Sequence, residues 1–204
     1  MKSMTLVKIL GSLAVLGAAA SVAGLGTFAT FTSSTSASQT IQSGTVSIAL
    51  GSAGTATNRL TIGASNLIAG DTIQRAVDLT STSSDPLASV ALTTTASPSS
   101  ALDTDVTNGL QMVIDKCSVA WTEGGTAPAY TYTCGGTTSS VLTTRAVIGS
   151  SIALTNLAAT STASSTDHLR VTLTLPASAP NALQGQSSSI SYNFVGTQRA
   201  ATSK

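Results

Sequence analysis

Charged and aromatic residues are scarce in this sequence of 204 residues: 8% are charged, 3% are aromatic, and the formal net charge is +1. Nine Lys and Arg against eight Asp and Glu leave no excess for the basic surface that nucleic-acid binding requires. The only glutamate, Glu123, argues against a helical bundle, because helix surfaces are rich in Glu, Lys and Gln. With 42% hydrophobic residues, the chain also differs from a charged disordered tail.

Ser and Thr, by contrast, make up about a third of the chain. Apolar residues alternate with them in short segments, of which residues 45–50, 73–80 and 168–175 are the clearest. Turns rich in Gly, Pro, Ser and Asp separate these segments. The pattern predicts eight or nine short strands in one all-β domain, residues 41–204, folded as an antiparallel sandwich or a barrel. Arg75 interrupts the apolar face of its strand, which predicts an exposed strand end, and only residues 139–148 could hold a short helix.

The first 29 residues have the pattern of a signal peptide. Lys2 and Lys8 precede an uncharged apolar run over residues 9–25. The small residues Thr27 and Ala29 then occupy positions −3 and −1 relative to a cleavage site between Ala29 and Thr30. A retained membrane anchor is the alternative. Because the leader holds two Lys and no acidic residue, its removal changes the formal net charge from +1 to −1.

The two cysteines, Cys117 and Cys134, lie near the ends of two predicted strands, residues 109–120 and 130–134, which we expect to pair as a hairpin. In an exported chain this placement predicts a disulfide, with two free thiols as the alternative. Trp121 lies in the enclosed loop. It would shield the bridge, pack at the end of the sandwich or serve as a contact residue for a partner.

No catalytic or metal-binding constellation is apparent, so we predict no catalytic residue, no metal and no cofactor. A zinc site needs three or four ligands, and the chain has one histidine, His168, and no H-E-x-x-H motif. Asp103 and Asp105 could face the same side of a strand and bind Ca²⁺, but a calcium-loop pattern is missing, and we expect solvated loop acids. The G-x-S-x-G context of a serine nucleophile is also missing.

Several segments resemble the TasA/camelysin family of secreted bacterial proteins. The residues GTFATFT at 26–32, followed by Gly44-Thr45-Val46, resemble the family's G-T-Y-A-Y-F-[ST] and G-T-L motifs. LIAGDTIQRAVDL at 67–79 is similar to the family's L-x-P-G-D-x-x-x-R-x-x-x-L segment, with Ala69 in place of the usual Pro. The C-terminal half, with Cys117, Trp121 and Cys134 and the LTLP at 173–176, resembles the actinobacterial members.

The resemblance implies a jelly-roll-like sandwich and cleavage after Ala29 by a dedicated signal peptidase. It further implies a secreted subunit of extracellular fibres in a biofilm matrix or cell-surface layer. In such fibres the freed N-terminal segment, here residues 30–40, adds a strand to the next subunit, so the partner is a second copy, joined head to tail, or a related matrix subunit. We expect neither nucleic acid nor a small-molecule substrate.

Two other hypotheses remain at this stage. The first is a monomeric secreted adhesin that binds through Trp121. The second is a metallopeptidase, because camelysin-type members often carry that label, although the residues supply no chemistry for it.

Overall fold

Ten strands form most of the part of the chain that the computed structural model describes, residues 46–61 and 66–200. These residues belong to one compact unit, Ser43–Lys204. The strands are β1 (Ile48–Leu50), β2 (Thr72–Ser81), β3 (Leu87–Ala96), β4 (Gln111–Cys117), β5 (Trp121–Thr126), β6 (Ala129–Cys134), β7 (Thr138–Ala146), β8 (Gly149–Leu154), β9 (Thr166–Thr174) and β10 (Ile190–Gln198). One short α-helix, α1 (Ala101–Thr104), and two 3-10 turns, Ala158–Thr160 and Asn181–Leu183, connect them.

All strand pairings are antiparallel, and they build two sheets and a separate hairpin. The larger sheet has the order β1-β2-β9-β4-β7, and the smaller one has the order β10-β3-β8. β5 pairs only with β6, from Trp121 opposite Cys134 to Thr126 opposite Ala129. The predicted all-β antiparallel sandwich is thereby confirmed, with ten strands instead of eight or nine.

The core between the two sheets is aliphatic. Alternate residues of the strands point inward because successive side chains of a strand face opposite sides. The residues with essentially no exposed surface include Leu79, Leu92, Met112, Ile114, Leu169 and Val171. Each buried side chain of this size contributes about 1.5–3 kcal/mol relative to an exposed one. The core therefore depends on branched aliphatic residues, as the scarcity of aromatic residues requires.

Two local expectations are wrong. The suggested helix at residues 139–148 is mostly strand β7, whose Val141 is buried, and the α-helix lies instead at Ala101–Thr104. β4 does not pair with residues 130–134 but with β7 and β9. Its expected partner forms its own hairpin with β5. Alternation of residues identifies a strand, but it does not identify the strand beside it.

Among the described residues, no helix has the length and apolar content that crossing a membrane requires. The predicted signal peptide, its cleavage site between Ala29 and Thr30, and residues 30–40 all lie outside the described residues, and so they stay predictions.

Candidate functional site

An open groove of about 880 Å³ lies between the two sheets, where β2 of the larger sheet and β10 of the smaller one approach each other. Its wall is a mixture of apolar and polar residues. The apolar ones include Leu50, Ile73, Leu102, Leu173, Leu183 and Ile190, and the polar ones include Asn58, Gln186 and Ser188. A groove of this kind can accept an extended segment with apolar side chains on one face.

The groove is open because both of its long sides are near sheet edges. β1 has three residues and pairs with β2 only over Leu79–Ser81. Further along β2, residues 57–59 supply backbone hydrogen bonds, from the Asp78 N–H to Thr57 O (2.8 Å) and from the Arg59 N–H to Ala76 O (2.9 Å). β10 is the outermost strand of its sheet and pairs with β3. Edge strands present N–H and C=O groups to which another strand can pair.

Arg75 carries a charge into this wall. It lies on β2 between Ile73 and Val77, on the inward face, and only 5% of its surface is exposed. Its guanidinium donates to Gln74 O (2.6 Å) and to Pro128 O (3.1 Å). The expectation that Arg75 marks an exposed strand end is therefore wrong, because backbone carbonyls of its own strand and of the hairpin satisfy the guanidinium inside the protein.

Tyr192 of β10 also lines the groove, across from Arg75. Burial raises the pKa of the Tyr192 phenol well above its usual range, and the positive charge of Arg75 partly opposes this. Burial in turn lowers the pKa of Arg75 from its ordinary value. The groove thus combines aliphatic side chains with one cationic and one phenolic group.

The β5–β6 hairpin is tied to the loop before β2 by an ion pair. Arg59 donates to both carboxylate oxygens of Glu123, at 2.6 Å and 2.9 Å, and the Tyr132 hydroxyl donates to the same carboxylate at 3.0 Å. The hydrogen bond from Arg59 holds the pKa of Glu123 below its ordinary value. The Arg59 guanidinium also lies 4.6 Å from the centre of the Tyr130 ring. These contacts fix the hairpin tip beside the groove.

At its other end, the hairpin is joined to β4 by a disulfide between Cys117 and Cys134, whose Cα atoms are 5.6 Å apart. Trp121 is half-buried there. Its indole N–H donates to His168 O at 2.8 Å, and Arg170 stacks 4.4 Å from the ring centre. Trp121 is therefore a packing residue of the hairpin base. Contact with a partner through its remaining exposed surface stays a prediction.

Within the described part of the chain, the potential metal ligands meet at most in pairs. Every His, Cys, Asp and Glu of the sequence lies within the described residues, and no three of them there form a group that could hold a metal ion. His168 pairs with Asp78 at 2.7 Å. The expectation of a solvated loop acid is wrong for Asp103, which is 4% exposed and accepts hydrogen bonds from three serines. Asp105 instead accepts from the backbone N–H groups of Thr107 and Asn108.

Arg75, in the middle of an apolar alternation, is a signal in the sequence for this groove. A charged residue in the middle of an apolar alternation is either an exposed position or a buried one with dedicated partners. One partner of Arg75 is Pro128 O at the tip of the hairpin, 53 positions away in the chain. Spacing along the sequence does not reveal such a contact.

The family comparison gives one match. The model of a family described as "Camelysin metallo-endopeptidase" matches residues 5–203, almost the whole chain. No curated protein matches the sequence.

Proposed function

The chain belongs to the camelysin metallo-endopeptidase family, and from that premise we propose that it is a secreted structural subunit of extracellular fibres. In this proposal the N-terminal segment of one subunit adds a strand to the next subunit. The observation that carries the proposal is the groove between β2 and β10, which is lined in part by apolar residues and has the edge strand β10 along one side. An added strand would cover apolar surface and pair with edge N–H and C=O groups at the same time.

Residues 30–40 suit this role in length and in charge. An extended strand rises about 3.3 Å per residue, so this segment reaches roughly 35 Å. That is comparable to β10, which has nine residues. The segment contains no Asp, Glu, Lys or Arg. Its insertion would therefore bring no unpaired charge into the groove.

Strand addition from one copy to the next is a head-to-tail contact. Such contacts build a filament when the rotation between copies does not close into a ring. The partner is accordingly a second copy of this chain, or a related matrix subunit that offers the same kind of strand. The proposed location is outside the cell, in a matrix or at the cell surface.

The family name implies a metal-dependent peptidase, and the residues of this chain do not fit one. Catalytic zinc in proteins is held by three protein ligands, typically His, Asp, Glu or Cys. Here both cysteines are in the disulfide, and the sole histidine pairs with Asp78. Asp103 accepts hydrogen bonds from three serines. We therefore propose a non-enzymatic role.

The test is assembly of the secreted protein, viewed by negative-stain electron microscopy. We expect filaments from the intact chain and none after deletion of residues 30–40. A chain with Thr32→Pro and Ser36→Pro should also fail, because proline has no N–H to donate. The matched control, Thr32→Ala with Ser36→Ala, should still assemble. Protein that stays monomeric over a wide concentration range, or filaments that survive the deletion, would disprove the proposal.

A further inference from the structure

We infer that Phe31 is the side chain that anchors the added strand: the strand lies against the outer edge of β10, and Phe31 of a second copy occupies the apolar part of the groove. The inference rests on the proposed function. It adds which strand of the fold receives the segment and which residue holds the segment there.

The outer edge of β10 is the first step of the argument. β10 pairs with β3 on one side, and within the described part of the chain no strand pairs with its other side. The edge of β2 is largely taken, because β1 and residues 57–59 bond to it between Ala76 and Ser81. A strand that enters the groove therefore finds an available row of N–H and C=O groups on β10.

The faces of β10 determine which side chains of such a strand enter the groove. Ile190 and Tyr192 alternate with exposed residues along β10, and both line the groove. Neighbouring strands share the faces of their sheet, so alternate side chains of the added strand point into the same space. Leu173 and Leu183 line that space together with the serines at 187–189. A face with one large apolar side chain among small polar ones suits this mixed wall.

The sequence of the N-terminal segment has such a face. Over residues 30–42 the apolar residues are Phe31, Ala37 and Ile41, and all three stand at odd positions. The even positions hold only Ser, Thr and Gln. In an extended strand the three apolar residues therefore share one face. Phe31 is the only aromatic residue of this range, so it is the one ring that the segment can insert.

The point at which the N-terminal residues join the fold indicates a second copy. β1 runs antiparallel to β2 with Ile48 opposite Ser81, so the chain before β1 leaves beyond the end of β2. The groove extends the opposite way to Ile73, about 26 Å from Ser81 at 3.3 Å per residue. A Cβ atom at Gly196 would lie 3.2 Å from Ile48 Cγ2, so β1 is in contact with β10. β1 thus fills the gap between the sheets at the end where the N-terminal residues join.

The length of the connection favours Phe31 over Ile41 as the anchor. An extended chain spans about 3.3 Å per residue, so residues 32–45 can bridge roughly 45 Å to a neighbouring subunit. From Ile41, only residues 42–45 remain before the described fold, and they span about 13 Å. Phe31 can therefore reach into the groove of another copy without bringing the two folds into close contact.

The first experiment measures assembly by light scattering as the concentration of the secreted chain is raised, after N-terminal sequencing has shown that each variant begins at Thr30. Phe31→Ala should raise the concentration at which filaments form by about tenfold or more, because the large apolar side chain that leaves water on insertion is gone. Phe31→Leu should retain most of the assembly. The matched control is Thr32→Ala, on the opposite face of the strand, which should leave this concentration unchanged.

The second experiment locates the side chain. Phe31→p-benzoylphenylalanine introduces a photoreactive ring, and illumination of filaments built from a mixture of isotope-labelled and unlabelled chains joins this ring to its neighbours. Mass spectrometry should find links between copies, on groove residues such as Leu183 or Ile190. The control, Thr32→p-benzoylphenylalanine, should not link to these residues.

The outcomes separate the two proposals. Filaments that form equally well with Phe31→Ala, or links from position 31 to residues outside the groove, would overturn the role of Phe31. Strand addition would stay intact in that case if deletion of residues 30–40 still abolished the filaments. Links within one copy, or an unmodified chain that forms no filaments, would overturn both proposals.

Discussion

Asp103 shows how this protein keeps a charged side chain inside. One of its oxygens accepts from the Ser100 N–H (2.7 Å) and the Ser188 hydroxyl (2.5 Å), and the other accepts from the Ser99 hydroxyl (2.7 Å). Ser100 in turn caps α1, whose third residue is Asp103. Burial alone would raise the pKa of Asp103, but these hydrogen bonds outweigh burial and lower the pKa below its ordinary value.

We predict that Asp103→Asn lowers the free energy of unfolding at neutral pH by about 1–2 kcal/mol, because the amide cannot accept all three bonds. The pKa of Asp103 is lower in the folded chain than in the unfolded chain, where it is about 3.9. The stabilisation that ionised Asp103 provides is therefore present above that pH and is lost as the pH falls through the folded-state pKa. Urea denaturation at several pH values should show that the difference in free energy of unfolding between the two proteins becomes smaller below about pH 4.

Asp85→Asn is the control for this experiment. Asp85 pairs with Arg199 at 3.2 Å, but its side chain is 39% exposed, and exposed pairs contribute little. The role assigned to Asp103 would be contradicted if both substitutions lowered the free energy of unfolding equally. It would also be contradicted if the difference between the unmodified protein and Asp103→Asn stayed constant down to pH 2.

The sequence reveals the type of these residues but not their surroundings. Ser100 followed by Asp103 is a capping pattern that could have predicted α1. Burial of Asp103 also needs Ser188, which lies 85 positions further along the chain. Arg75 poses the same problem, because its hairpin partner is equally remote in sequence.

At the scale of elements, the hairpin of β5 and β6 is the part that the sequence predicted least well. The alternation around Tyr130 and Tyr132 identified β6 correctly as a strand. β5 was missed because its Glu123-Gly124-Gly125 has low strand propensity. What keeps β5 in place is tertiary structure, namely the Arg59–Glu123 pair and the stacking of Trp121 on Arg170. The cysteines do meet, but not through the expected hairpin between their strands: the disulfide joins the end of β4 to the end of β6, and these strands do not pair with each other.

The disulfide gives a prediction for this element. The intact mass of the secreted protein should lie about 2 Da below that of the fully reduced chain. Cys117→Ser together with Cys134→Ser should lower the free energy of unfolding by about 3 kcal/mol, because the open chain gains conformational freedom when unfolded. Chemical denaturation of both forms measures this loss. Two thiols that alkylate readily in the secreted protein, before any reduction, would show that the bridge is absent.

For the molecule as a whole, the sequence predicted the fold class and the family. Strand alternation and turn residues were sufficient for the all-β sandwich. The motifs spread along the chain were sufficient for the TasA/camelysin family, which the match over residues 5–203 confirms. Alternation could not predict the groove, because a groove depends on which strands become sheet edges, and strand order is set by contacts that are distant in sequence.

At the scale of the whole molecule, the predicted signal peptide gives a prediction about export. N-terminal sequencing of the protein from the extracellular fraction should begin at Thr30, because Thr27 and Ala29 offer small side chains to a signal peptidase. Ala29→Arg should keep the leader attached and the protein with the cells, whereas Ala37→Arg, outside the cleavage site, should not. A full-length chain that starts at Met1 in the membrane fraction would favour the retained anchor.

The nearly uncharged groove has a consequence for where such a fibre can exist. Arg75 is the one charged residue among the described residues of its wall, and residues 30–40 carry no charge. Dissolved salt weakens attractions between opposite charges, whereas salting-out ions strengthen apolar contacts. A fibre joined through this groove would therefore stay assembled at low and at high salt concentration, so high salinity would not limit where it forms.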